Sequence, residues 1–199
     1  MNVFVRWGFC IVFIPVVCGF GPAHNGATPA VATVFDTSFS TNYVSSPFHP
    51  AILRRHYELA AADKAAGEKF YKLLADYKER DALVLGYKAA SEAIRARDAS
   101  MLNKLTYVQD AARTFEQAVS LAPQNPEIRF LRFSVESNLP AFLGLSKHVD
   151  EDKEMLLNAA LSHPGSGLDT EAFRTVRSFL VGRGHVSDSD AQRLSKVAE

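Results

Sequence analysis

The side chains best suited to chemistry lie in two short runs, 129–136 and 148–152. Arg129 and Arg132 stand three residues apart, with Phe130 and Phe133 alongside and Glu136 one turn further on. A guanidinium presents a planar fork of N–H donors that matches a carboxylate, so an inward-facing arginine on a helical groove would clamp the carboxylate end of a bound peptide. The same spacing permits a self-contained use, with Arg129 on Glu127 or a neighbouring helix and Arg132 on Glu136 along the surface. His148 and Asp152 are four apart, about one helical turn, with Asp150 and Glu151 between them. An imidazole and carboxylates on one face can contribute ligands to a divalent metal. Three acids at a helix start also complement the positive end of its dipole, which is the plainer use.

The other histidines offer less. His49 and His56 are two turns apart, but Pro50 interrupts the register at the head of the helix. His163 and His185 lie near glycines in expected loops, where histidines are ordinarily solvated. No phosphate-binding loop, zinc-protease helix, strained serine elbow or calcium loop occurs in the chain. The only cysteines, Cys10 and Cys18, both fall in the first 20 residues. The expectation is therefore no cofactor and no metal.

Charge is unevenly spread. Lys plus Arg and Asp plus Glu number 22 each, so the basic excess that a nucleic-acid binder uses to displace counterions is absent. Residues 1–50 hold only two of these charges, Arg6 and Asp36. Arg6 precedes an apolar run from Trp7 to Phe20, followed by small residues, which predicts a secretory signal peptide over 1–23. The run is shorter than the roughly 20 residues that span a bilayer. An uncleaved anchor or a lipid on Cys18 is the alternative, and either would be the chain's only membrane contact. Residues 24–50 carry eight serines and threonines and three prolines, with Val31, Val34, Phe35, Phe39, Tyr43, Val44 and Phe48 scattered among them. Hydroxyl side chains and proline disfavour helix, so this stretch is predicted to be a spacer, or else an arm whose aromatics dock on a partner or on the domain's own groove.

From 51 to 199 the composition shifts to Ala, Leu, Glu, Lys and Arg, and apolar residues recur at helical spacing. The pattern predicts helices over about 50–78 (interrupted near Gly67), 80–97, 100–122, from 126, 149–162, 169–181 and a short last one after Ser187. Ala141 to Lys147 is expected to form one short helical turn. Nothing after Ala51 alternates as a strand does. The fold class expected is all-α, with about six or seven helices packed as antiparallel hairpins.

Ala111, Phe115, Ala118 and Pro123 repeat the small, aromatic, small, proline order of the second helix of a tetratricopeptide repeat, which Leu85, Gly86 and Ala89 resemble in its first helix. The segment Asn125 to Arg132 also resembles one found in uncharacterised exported bacterial proteins. The tetratricopeptide resemblance covers about 82–136 and implies an α–α superhelix that presents a binding surface. Expected from residues and resemblance together is a noncatalytic module exported to the periplasm or cell envelope, binding a protein or peptide through Arg129, Arg132 and Phe130. Two other readings stay open: a metal-dependent envelope enzyme built on His148 and its neighbouring acids, and a helical bundle holding a lipid or small apolar ligand.

Overall fold

The computed structural model describes residues 46–198. The expected signal peptide, Cys18 and most of the 24–50 spacer lie outside the described residues. The described residues are all-α: α1 (Pro50–Ala62), α2 (Lys64–Ala75), α3 (Ala82–Asp98), α4 (Met101–Leu121), α5 (Pro126–Glu136), α6 (Val149–Leu161), α7 (Thr170–Gly182) and α8 (Asp188–Leu194), with a 3-10 turn at Ala141–Leu143 and no strand among them.

Short polar side chains set most of the helix starts. The Asp63 carboxylate accepts from the Ala66 N–H at 2.7 Å, Asp81 from Val84 at 3.0 Å, and Asp169 from Ala172 at 2.9 Å. Asn125 accepts from both Glu127 and Ile128, and Ser187 from Asp190. Each satisfies an N–H that the helix itself leaves unpaired, worth about 1 kcal/mol. Ser100 occupies the N-cap position of α4 without a side-chain cap bond.

One expected rod is two. The stretch anticipated as a single helix over 50–78 breaks at Asp63, whose extended backbone (φ −127°, ψ 132°) ends α1 and caps α2. Gly67, the anticipated interruption, is helical and buried instead. A Cβ there would lie 3.0 Å from Ile94 Cγ2, so the missing side chain lets α2 approach α3.

α3 is the central helix and touches α1, α2, α4 and α5. Gly86, Tyr87, Ala90, Ala93 and Ile94 recur on it at helical spacing and are buried. Burial extends around most of the helix, taking in Ser91 and Glu92, because four neighbours surround it. α4 lies along α3 with Val108, Ala111, Phe115 and Ala118 turned inward, while Leu105 at the same spacing stands exposed.

α5 separates two apolar cores. Ile128, Leu131 and Val135 join the first, built with α1 to α4 around Leu53, Phe70, Leu74, Tyr87 and Phe115. Phe130 and Phe133, on the other side, join the second, built with α6 to α8 around Leu156, Phe173, Val176, Leu180 and Leu194. A helix apolar on two sides and flanked by packed elements is buried nearly all round, and every residue of α5 except Glu127 is buried.

Candidate functional site

The two runs singled out in the sequence meet at the α5–α6 contact. Arg129 and Arg132 leave α5 one turn apart, and Asp152 comes from the first turn of α6. Arg132 Nε donates to Asp152 Oδ2 and its Nη2 to Oδ1, both at 2.7 Å, a two-pronged pair. Arg129 Nη1 adds a third bond to Oδ1 at 2.9 Å, and also donates to Glu151 at 2.6 Å. Its Nε donates to the Pro123 carbonyl at 2.9 Å, so the same side chain ties down the turn between α4 and α5. Asp152 is 0 % exposed, whereas the Glu151 side chain remains 58 % exposed.

The electrostatics follow the geometry. Burial works against the charge on Arg129, but the hydrogen bonds that it donates to Asp152 and Glu151 outweigh it and raise its pKa. The bond from Arg129 holds the Glu151 carboxyl below its ordinary range. The buried Asp152 answers both buried guanidiniums, and Glu151, at the water-facing edge, supplies the second negative charge. The fork anticipated for a peptide's carboxylate thus closes on a carboxylate of the same chain, and Phe130 packs into the second core.

His148 takes the N-cap position of α6 and turns the other way. Its Nδ1 lies 2.8 Å from Glu136 Oε1, and its backbone N–H donates to Glu136 Oε2 at 2.8 Å. His148 and Asp152 therefore serve different partners despite their four-residue spacing. Among the described residues, no group of three His, Cys, Asp or Glu side chains is arranged to hold a metal ion. Glu136, expected to pair with Arg132 along the surface, pins the start of α6 to the end of α5.

A second polar junction has no motif in the sequence. Arg54 of α1 makes a two-pronged pair with Glu127 at 2.8 and 2.7 Å and donates to Asp169, the α7 cap, at 2.7 Å. Tyr87 of α3 donates its hydroxyl to Glu127 at 2.5 Å. One carboxylate thereby joins α1, α3 and α5, with Arg54 extending the junction to α7. Its members are separated by up to 115 positions, so no local spacing reveals it.

His163 stacks face to face on Phe173, ring centroids 4.1 Å apart, and His185 stacks on Phe179 at 5.0 Å while meeting the Phe133 edge at 4.9 Å. Both had been expected as solvated loop residues; aromatic stacking gives each a place against the second core instead. Burial, followed by the charges of Arg183 and Lys153, holds the His185 pKa below its ordinary value. His49 caps α1 and His56 stacks on Phe70, so they do not form one site.

Two surface features remain. A groove of ≈ 360 Å³ runs between the α2–α3 turn and the second half of α4, with Tyr77, Leu85 and Leu121 as its apolar lining and Thr114, Gln117 and Ser120 along α4. Lys88 at its edge donates to the carbonyls of Ala75 and Tyr77 and so caps α2. Where α3, α4 and the end of α5 meet, Ala93, Ala96, Val108, Val135 and Leu139 line a shallow notch. Its accessible space is ≈ 20 Å³, about that of one water, so it is a surface feature and not a ligand cavity. Three residues beyond Leu139, Phe142 rides the 3-10 turn with 82 % of its surface exposed. No described helix is long and apolar enough to cross a membrane.

No family model matches the chain, and neither the curated proteins nor the solved structures include a match to it.

Proposed function

We propose that this chain is a noncatalytic interaction module of the cell envelope, binding a protein or peptide on its helical surface. The observation that carries the proposal is Phe142, a large apolar side chain 82 % exposed on the 3-10 turn that follows α5. Leu105 on α4 is a second exposed apolar side chain, at 47 %. An exposed apolar side chain favours a partner that takes it out of water, and an aromatic is among the side chains that contribute most when buried at an interface.

The tetratricopeptide-like reading belongs to the same proposal. It is supported by Ala111 and Ala118, 1 % and 0 % exposed, which let α3 and α4 lie close, by Phe115 filling the gap between them, and by Pro123 in the turn that follows. The envelope location rests on the sequence of residues 1–23.

A photoreactive phenylalanine analogue in place of Phe142, activated in the native envelope, tests this directly. The expected result is repeated capture of one polypeptide, which then binds the purified protein and loses at least about tenfold in affinity with Phe142→Ser, a hot-spot loss. Equal binding by Phe142→Ser, or no repeated capture, would overturn the proposal. The substitution should leave folding unchanged, since the side chain is almost entirely in solvent.

A further inference from the structure

We infer that the groove beside Tyr77 is filled by this chain's own N-terminal arm, residues 31–45, laid along the second half of α4. The starting point is where the described chain begins. Ser46 opens a turn in which its carbonyl accepts from the His49 N–H at 3.1 Å, and Phe48 packs edge-on against Tyr77 with ring centroids 5.0 Å apart. Tyr77 is also a wall of the ≈ 360 Å³ groove. The arm therefore leaves the folded body from a residue in contact with that wall. The groove is of the size, about 300–1,000 Å³, that holds a compact ligand, and its lining mixes apolar and hydrogen-bonding groups.

The arm suits it in pattern, length and charge. Val31, Phe35, Phe39 and Tyr43 recur every four residues. Residues four apart share a face in a strand and in a helix, so these side chains form one apolar edge in either conformation. Tyr43 is five residues from Phe48, at most about 17 Å of extended chain, so it reaches the groove. Phe39 and Tyr43 are at most about 14 Å apart when extended, and the stretch of α4 from Thr114 to Leu121 is about 11 Å long, so the two aromatics match its length. Asp36 is the arm's single charge, while Lys78, Arg80 and Lys88 outnumber Glu79 around the groove.

Tethering makes a modest affinity sufficient. A short connection holds its end at an effective concentration of the order of millimolar, so a segment with an intrinsic Kd of about 0.1 mM would be docked roughly nine-tenths of the time. A free peptide of the same sequence would have to reach that concentration in solution. The groove is thus matched to its own chain before any other.

The test uses the full chain with a photoreactive phenylalanine analogue in place of Phe39, together with limited chymotrypsin cleavage after Phe35, Phe39 and Tyr43 in the unlabelled protein. Docking requires cross-links to 77–88 and 114–121 within one molecule, at a yield independent of protein concentration. It also requires cleavage of the arm to become about tenfold faster in Leu121→Glu, a change at a partly exposed position whose folding is checked by helical circular dichroism. Phe39→Ser alters no described helix and should release the arm to the same extent at Tyr43. Cross-links scattered over the surface, or unchanged cleavage in both variants, would overturn the inference. Cross-links between two copies that grow with concentration would also overturn it, assigning the groove to a second molecule. None of these outcomes bears on Phe142, so this inference and the proposed partner surface stand or fall separately.

Discussion

At the scale of single residues, the most consequential side chain is Asp152. It accepts three hydrogen bonds from two arginines and is fully buried, so its removal leaves the buried Arg132 without its two-pronged partner and Arg129 with only Glu151 and the Pro123 carbonyl. Breaking a buried pair from one side costs about 3–5 kcal/mol, far more than the net worth of the intact pair. Asp152→Ala is expected to lower unfolding free energy in urea by that amount, whereas Arg129→Met, Arg132→Leu and Asp152→Leu together should recover most of it, because no buried charge is then left unpaired and Glu151 faces water. His185 sets a pH dependence. Its folded pKa is depressed, so the unfolded chain binds the proton more readily, and stability is fully present above about pH 6.5 and declines as pH falls from there toward the folded pKa. One proton limits this slope to about 1.4 kcal/mol per pH unit. Urea titrations at pH 7.5 and 5.5 should show the decline in the wild type and a shallower one in His185→Phe, which keeps the ring between Phe133 and Phe179.

At the scale of elements, the joint between α1 and α2 is one residue wide. Asp63 ends one helix and caps the next, and its carboxylate is exposed apart from its bond to the Ala66 N–H. Asp63→Ala is expected to cost about 1 kcal/mol, an N-cap loss, measurable as a lower urea midpoint with an unchanged slope. This joint was hard to place beforehand because an aspartate inside an alanine-rich run reads as a solvated helix residue, and Gly67 four positions on reads as a breaker. Only the proximity of Ile94 decides that the glycine is there for close packing. The short last helix after Ser187 was legible in advance because capping is local: the Ser187 hydroxyl and the Asp190 N–H that it accepts from are three residues apart.

At the scale of the whole molecule, α5 is the shared wall. Ile128 and Phe133 are both 0 % exposed and face different cores, and the Arg54–Glu127 junction ties the α5 start to α1 and, through Asp169, to α7. A perturbation on either side is therefore felt on the other. Ile128→Ala should cost about 2–5 kcal/mol and Phe133→Ala about 3–5 kcal/mol, the range for large-to-small core changes. Each should still unfold in a single transition, with coincident far-ultraviolet dichroism and tyrosine fluorescence. Two separated transitions in either variant would mean that the cores are independent.

The amino-acid sequence alone determined the all-α class and most helix boundaries and marked Arg129, Arg132, His148 and Asp152 as candidates for chemistry, because periodicity, capping and residue chemistry act over a few neighbouring positions. The tertiary structure alone decided what those groups hold. Arg129 and Arg132 meet Asp152 20 or more residues away, Glu136 turns from Arg132 to His148, and Arg54 finds Glu127 and Asp169 across 73 and 115 positions. A guanidinium fits a carboxylate of its own chain as well as a partner's, so which one it takes depends on where the helices bring their side chains, and that is settled by packing around α3 and α5.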